Sequence, residues 1–428
     1  MSPRGLMLAA PSSGAGKTTV TLALLRAFRR SGMDVRAAKS GPDYIDPAFH
    51  TAACGHASVN LDAWAMDANS LRARAIAQGG DLLLVEAAMG VLDGAADGTG
   101  SAADLAAILG IPIVLIVDAA RQGPSTALAA AGFRVLRPDI PLSGVILNRI
   151  GSPRHEALAR SGLDSIGMPV LGSLARDAAL RLPARHLGLV QAGETEALDA
   201  FLDMAAALLV AGTDLDRLAN LAKPLATADR VKALPPPGQR IAIARDHAFA
   251  FAYPHLLADW QAQGASLHLF SPLADEAPDT DADAIFLPGG YPELHARTLT
   301  RAKRFRSGMT HAALAGTLIY GECGGYMTLG EAIIDAEGVA HPMLGLLPVT
   351  TNFMTRGLTL GYRRVTALPG AAWSGAFMGH EFHYASIDAE GAAARLFSVT
   401  DAAFAPGPDL GLRRGRVMGS FIHLIAPA

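Results

Sequence analysis

Short apolar runs alternate with longer stretches of helical period through the first half of the chain. Residues 6–10, 35–39, 82–86, 113–117, 144–147 and 170–174 read as strands, and residues 20–30, 101–109 and 125–136 as helices between them. Short apolar strands separated by helices form a parallel sheet covered on both faces. Sites in such a sheet lie at the carboxyl ends of the strands. A helix over 193–210 closes this half. Residues 220–239 carry no apolar periodicity and contain Pro235-Pro236-Pro237-Gly238, which reads as a stiff linker. The pattern predicts domains at 1–235 and 236–428. The second domain opens as another α/β unit, with strands at 240–244, 266–270 and 284–287 and a helix at about 253–264. A strand-rich, irregular segment follows.

With 428 residues, half of them hydrophobic and only 18% charged, the chain can bury sizeable cores. A net charge of −3 gives no reason to expect nucleic acid. Two cysteines, Cys54 and Cys323, are too few for a disulfide framework and suit a reducing cytoplasm. The apolar runs at 111–117 and 205–211 fall short of the roughly 20 residues of a membrane span. No secretory leader is expected ahead of the first strand.

The sequence PSSGAGKTT at 11–19 joins the first strand to the first helix. Backbone N–H groups of Gly14, Ala15 and Gly16, with the helix N-terminus, form a phosphate cradle. Lys17 is placed for the β/γ-phosphates of ATP and the Thr18 hydroxyl for Mg²⁺. Pro11 stands where the P-loop pattern has its first Gly. Two further strand ends carry clustered acids, KSGPDYIDP at 39–47 and VEAAMGVLDG at 85–94. Mg²⁺ takes few protein oxygens and completes its shell with phosphate and water, so Thr18, Asp43 and Glu86 are the candidate ligands. Asp46 and Asp93 lie further along their loops, where they face a second substrate or serve as Asx-turn and cap residues.

In the second domain YGECGGYMTLG at 320–330 puts Cys323 between a strand and a helix among Gly321, Gly324 and Gly325. A sharp strand–turn–helix presents a nucleophile, and a helix N-terminus lowers a thiol's pKa. The alternative is a buried inert thiol. His423, on a short strand after Gly419, is the candidate base. His380 and His383 hint at a metal, but no further N or S ligand lies near them in sequence.

Taken together and in this order, PSSGAGKTT, KSGPDYIDP, VEAAMGVLDG, LPGGYPE, YGECGGYMTLG and GHEFHYA closely resemble the cobyrinic acid and hydrogenobyrinic acid a,c-diamide synthase family over nearly the whole chain. The resemblance implies a dethiobiotin-synthetase-like P-loop domain followed by a class I, flavodoxin-like glutamine amidotransferase domain. It implies ATP-dependent, glutamine-hydrolysing amidation of corrinoid carboxylates in cobalamin biosynthesis, with Mg²⁺ as cofactor. By motif, Ser12, Ser13, Gly14, Ala15, Gly16, Lys17, Thr18 and Thr19 would hold ATP, while Asp43 and Glu86 would help hold Mg²⁺. Tyr44, Asp46 and Asp93 would lie at the corrinoid and acyl-transfer site. Cys323 would be the nucleophile, His423 its base, and Gly289 and Gly290 the oxyanion donors. Ala87 stands where related sequences carry Gly. The residues after His423 are Leu424 and Ile425, so the usual His-x-Glu is absent. A Cys–His dyad, with His423 oriented by a backbone carbonyl, is then expected. The implied partners are small molecules only, with neither nucleic acid nor membrane, in a cytoplasmic protein compatible with a homodimer. The alternatives are an amidotransferase acting on another substrate, such as nickel-sirohydrochlorin, or a P-loop switch ATPase with a binding module.

Overall fold

The computed structural model describes residues 3–428 apart from 182, 183, 186, 187, 190, 196, 230 and 356, and gives no side chains for 184, 185, 188 and 189. It divides into two compact units, Met1–Val231 and Lys232–Ala428.

The first unit is built on seven parallel strands: β1 Arg4–Ala9, β2 Val35–Ser40, β3 Val59–Leu61, β4 Leu82–Glu86, β5 Ile113–Asp118, β6 Leu142–Ile150 and β7 Val170–Ala175, in the order β3-β2-β4-β1-β5-β6-β7. Leu6, Met7, Leu8 and Ala9 of β1 and Leu82 to Val85 of β4 are all buried, as a sheet covered on both faces requires. The three-residue β3 carries too little pattern to be read from sequence. The helix after the second acidic strand starts at Ala102, with Ser101 and Asp104 forming a reciprocal capping box. The helix expected over 125–136 splits into a 3₁₀ turn, Pro124–Thr126, and the helix Ala127–Leu136. The closing helix expected over 193–210 is shorter, Leu198–Val210. The expected linker is in part structured. Helix Leu215–Leu221 runs into it, and Lys223–Pro224 pair antiparallel with β1.

The second unit has a ten-stranded sheet. Its strands are β8 Arg240–Ala244, β9 Ser266–Phe270, β10 Ala284–Leu287, β11 Leu318–Glu322, β12 Thr359–Ala367, β13 Ala376–His383, β14 Ala394–Asp401, β15 Leu410–Arg414, β16 Val417–Ser420 and β17 Ile422–Pro427. They are ordered β9-β8-β10-β11-β16-β15-β14-β12-β13-β17. The run from β9 to β16 is parallel and the remainder antiparallel. Only Phe421 separates β16 from β17, so one residue joins the two ends of the antiparallel run and bends it back on itself. That bend carries the start of β17 to the end of β11, where the Leu424 N–H donates to the Glu322 carboxylate at 3.0 Å.

Candidate functional site

In the first unit the cradle begins where β1 stops. Gly14 (φ 79°) and Gly16 (φ 90°) occupy the left-handed region, and Gly16 caps α1, Lys17–Arg30. The amide of Asn148, at the end of β6, donates to the Ala15 carbonyl at 2.8 Å and fills the space a Gly16 side chain would need. Pro11, Ser12, Ser13 and Gly14 stay exposed. Lys17 is buried and donates to the carbonyls of Ser12 (3.3 Å) and Met89. Burial and the Lys39 charge hold its pKa below the ordinary lysine value, against the pull of Glu86, Asp46 and Asp93.

The parallel pairing of β2 with β4 puts Lys39 opposite Glu86. Asp46 heads the helix α2, Asp46–Cys54. Around these three the side chains close tightly. The Thr18 hydroxyl lies 2.7 Å from Glu86 Oε1 and 3.4 Å from Asp46 Oδ2. The Lys39 ammonium sits against Asp46, 3.1 Å from Glu86 and 3.8 Å from Asp43. The His50 ring meets the other Glu86 oxygen at 2.6 Å. Glu86 is fully buried, and Lys39 with the bonds from His50 and Thr18 holds its carboxyl well below the usual range despite that burial. Burial, then Asp43 and Glu86, push Asp46 up to about 7 against the Lys39 charge. Asp43 is further out, its Oδ1 accepting from the backbone N–H of Ile45 (2.8 Å) and of Asp46 (3.3 Å) as an Asx turn. Asp93 is exposed and accepts from the Gly90 N–H at 2.8 Å, and Tyr44 is half-buried.

Thus Asp46 lies against Thr18 and Lys39. Lys39, His50 and Asn148 were not singled out from sequence. Lys39 stood within the quoted acidic motif, and Asn148 at a strand end, but neither position declares its partners. The Thr18, Asp46 and Glu86 oxygens thus converge beside the buried Lys39 ammonium, next to the phosphate cradle.

In the second unit β11 ends at Glu322 and the chain turns through Cys323 at φ 47°, ψ −104° into the six-residue helix Gly324–Leu329. A non-glycine residue in this region is strained, and such strain is typical of nucleophile turns. The turn is tight because Gly321 and Gly325 leave no side chain between strand and helix, where a Cβ on Gly325 would meet the Leu287 backbone. The Cys323 N–H donates to Ser420 O at 2.8 Å. The thiol is buried, with Sγ 3.9 Å from the Phe382 carbonyl. Here the expectation of a lowered thiol pKa is corrected. Burial, followed by Glu293 and, more weakly, Glu322 and Glu381, pushes the Cys323 thiol up well past its ordinary value. The Gly324 N–H opposes this, and a six-residue helix adds too little dipole to reverse it. The proton therefore has to leave to a base.

His423, the candidate base, is 1% exposed. The point where a Gly289 side chain would begin is 3.2 Å from His423 Nε2 and 3.3 Å from Cys323 Cβ, so ring and nucleophile share one small space that only glycine leaves open. Gly290 N lies 3.0 Å from where a Gly324 Cβ would start, which puts the amide of the PGGY turn beside the nucleophile turn. The Glu322 carboxylate approaches His423 Nδ1 at 3.6 Å. On β13, His383 stacks on Phe421 at 3.9 Å between ring centroids, and Arg363 binds Glu381 at 2.6 Å. Among the described residues no group of three or more His, Cys, Asp or Glu is arranged to hold a metal.

Two family models match the chain: the CobQ/CobB/MinD/ParA nucleotide binding domain over residues 6–190 and the CobB/CobQ-like glutamine amidotransferase domain over 240–428. Fold, sites and matched families define a glutamine-dependent amidating ligase, with a P-loop nucleotide-binding domain joined to an amidotransferase domain. Among curated proteins, hydrogenobyrinate a,c-diamide synthase of Rhizobium meliloti (strain 1021) is 56% identical, covering 98% of this chain and 99% of that protein. The proteins of the same name from Brucella anthropi and Mesorhizobium japonicum are 53% and 50% identical, covering 99% and 100% of this chain. The chain belongs to the hydrogenobyrinate a,c-diamide synthase family.

Proposed function

We propose that this protein amidates the a and c carboxylates of hydrogenobyrinic acid, using ATP and ammonia released from glutamine. The observation that carries the reading is the strained Cys323 turn facing His423 across Gly289, in one chain with a P-loop whose lysine is buried beside clustered acids. The names of the near-full-length relatives favour the metal-free corrinoid over a cobalt-containing one.

In the first unit the backbone of residues 12–19 and the Lys17 ammonium hold the β- and γ-phosphates. A substrate carboxylate oxygen attacks the γ-phosphorus, and ADP leaves with the bridging electrons, giving an acyl phosphate. Ammonia then attacks the acyl carbon, and phosphate leaves. Thr18, Glu86 and Asp46, with Asp43 beside them, would hold Mg²⁺, which when bound offsets charge on the phosphate oxygens. Tyr44 and Asp93, in the loops after β2 and β4, face the corrinoid.

In the second unit His423 takes the Cys323 proton as sulfur attacks the glutamine side-chain carbonyl. The N–H groups of Gly290 and Gly324 meet the developing oxyanion. His423 returns the proton to the departing ammonia, and water then hydrolyses the γ-glutamyl thioester to glutamate. No described helix is long and apolar enough to cross a membrane.

The test is product formation from corrinoid and ATP with each nitrogen donor. Cys323→Ala loses glutamine-dependent amidation and keeps amidation driven by high ammonium at alkaline pH. Retained use of glutamine by this variant would refute the role of Cys323.

A further inference from the structure

We propose that Glu322, the residue immediately before the nucleophile, is the positioning carboxylate of His423, supplied from β11 where the His423 strand carries none. The inference rests on the Cys323–His423 reading above. Along β17 the residues that follow His423 are Leu424 and Ile425, so no acid is available one turn of the strand away.

Glu322 is 2% exposed, a costly place for a carboxylate unless its oxygens are used. Oε1 is fixed by two donors, the Leu424 N–H at 3.0 Å and the Tyr320 hydroxyl at 3.2 Å. Tyr320 is itself locked, stacked on Phe286 at 6.0 Å and edge-on to Trp373 at 5.0 Å between centroids. With Oε1 so held, Oε2 is left facing His423 Nδ1 at 3.6 Å. The same carboxylate thus grips the backbone next to His423 and faces its ring. The opposite ring nitrogen, Nε2, is the one on the Gly289 and Cys323 side.

This geometry has a chemical consequence. A carboxylate beside Nδ1 favours the tautomer with its proton there, which leaves Nε2 unprotonated and so able to accept the thiol proton. It then stabilises the imidazolium that results. The Glu322 charge disfavours a lone Cys323 thiolate, and this is offset once the proton sits on His423, whose Nδ1 Oε2 faces at 3.6 Å. The 3.6 Å separation is beyond a hydrogen bond and closes in the substrate complex, as such contacts commonly do.

Glutamine hydrolysis by the full chain tests this, with kcat and KM determined separately and thermal unfolding recorded for each variant. Glu322→Gln keeps the size and an oxygen for the Leu424 N–H but offers Nδ1 an amide. Its kcat falls on the order of 10²- to 10⁴-fold with KM for glutamine little changed. Glu322→Asp, which keeps the charge, recovers part of the loss. A wild-type kcat in Glu322→Gln, a loss confined to KM, or no recovery in Glu322→Asp each overturns the proposal. Glutamine hydrolysis persisting in Cys323→Ala would instead refute the nucleophile assignment on which it rests.

Discussion

Replacing Gly289 with alanine adds one carbon at the most constrained point of the second unit. That carbon would intrude on His423 Cε1 while lying 3.2 Å from Nε2 and 3.3 Å from Cys323 Cβ. Gly289 is not among the positive-φ residues, so the backbone tolerates alanine and the effect is steric. Restoring ordinary contact requires His423 to retreat by about 1 Å. The ring is fully packed, so the retreat costs about 1–3 kcal/mol of stability, the usual range for overpacking. Its kinetic cost is larger, since a misplacement of about 1 Å in a reacting group removes on the order of 10²-fold in rate. Gly289→Ala should therefore fold, keep ammonia-driven amidation, and hydrolyse glutamine about 100-fold more slowly. Gly290→Ala is the contrast. Its Cβ runs into the Ala248 backbone carbonyl, which has no side-chain freedom with which to yield, so it should destabilise the unit as a whole. Steady-state glutaminase assays beside thermal melts distinguish the two. Wild-type glutaminase in Gly289→Ala, or parallel loss of ammonia-driven amidation, would show that Gly289 does not separate His423 from the nucleophile turn as argued.

Lys39→Met removes the buried cation shared by Asp46, Glu86 and Asp43 and should cost about 3–5 kcal/mol in chelator, partly recovered by Mg²⁺; an unchanged unfolding midpoint in chelator would count against the cluster. Asp46→Asn should raise the Mg²⁺ concentration needed for ATP-dependent amidation and leave glutamine hydrolysis alone, and an unchanged Mg²⁺ dependence would remove Asp46 from the cation site. Burial, with the His423 and Arg363 charges, holds His380 at about 3 against an ordinary 6.5, so the folded ring stays neutral while the unfolded chain protonates. Stability from this group is complete above pH 6.5 and falls as pH drops toward 3, by about 1.4 kcal/mol per unit. Denaturant unfolding at a series of pH values should show His380→Gln losing that slope, and a slope equal to wild type would refute it.

Local chemistry was legible along the chain. The phosphate cradle is a run of adjacent residues whose glycines must take positive φ, and the nucleophile turn is a strand, a cysteine and glycines in sequence. Buried strands announce themselves as apolar runs, so Leu82–Glu86, Arg240–Ala244 and Ala284–Leu287 were readable to their ends. Partnership across the chain was not. Lys39 meets Glu86 because β2 and β4 pair in one parallel register, and Asp46 joins them only when α2 starts beside that pair. Glu322 reaches His423 because the bend at Phe421 brings the start of β17 back to the end of β11. The thiol shift followed the same rule. A cysteine before a helix suggested a lowered pKa, yet burial and three carboxylates from separate elements raise it. Which residue types a site needs is set by bonding preferences that a short stretch of sequence can express. Which charges stand within a few ångströms is set by sheet order and burial, because electrostatic and hydrogen-bond energies depend on distance in space, which spacing along the chain does not determine.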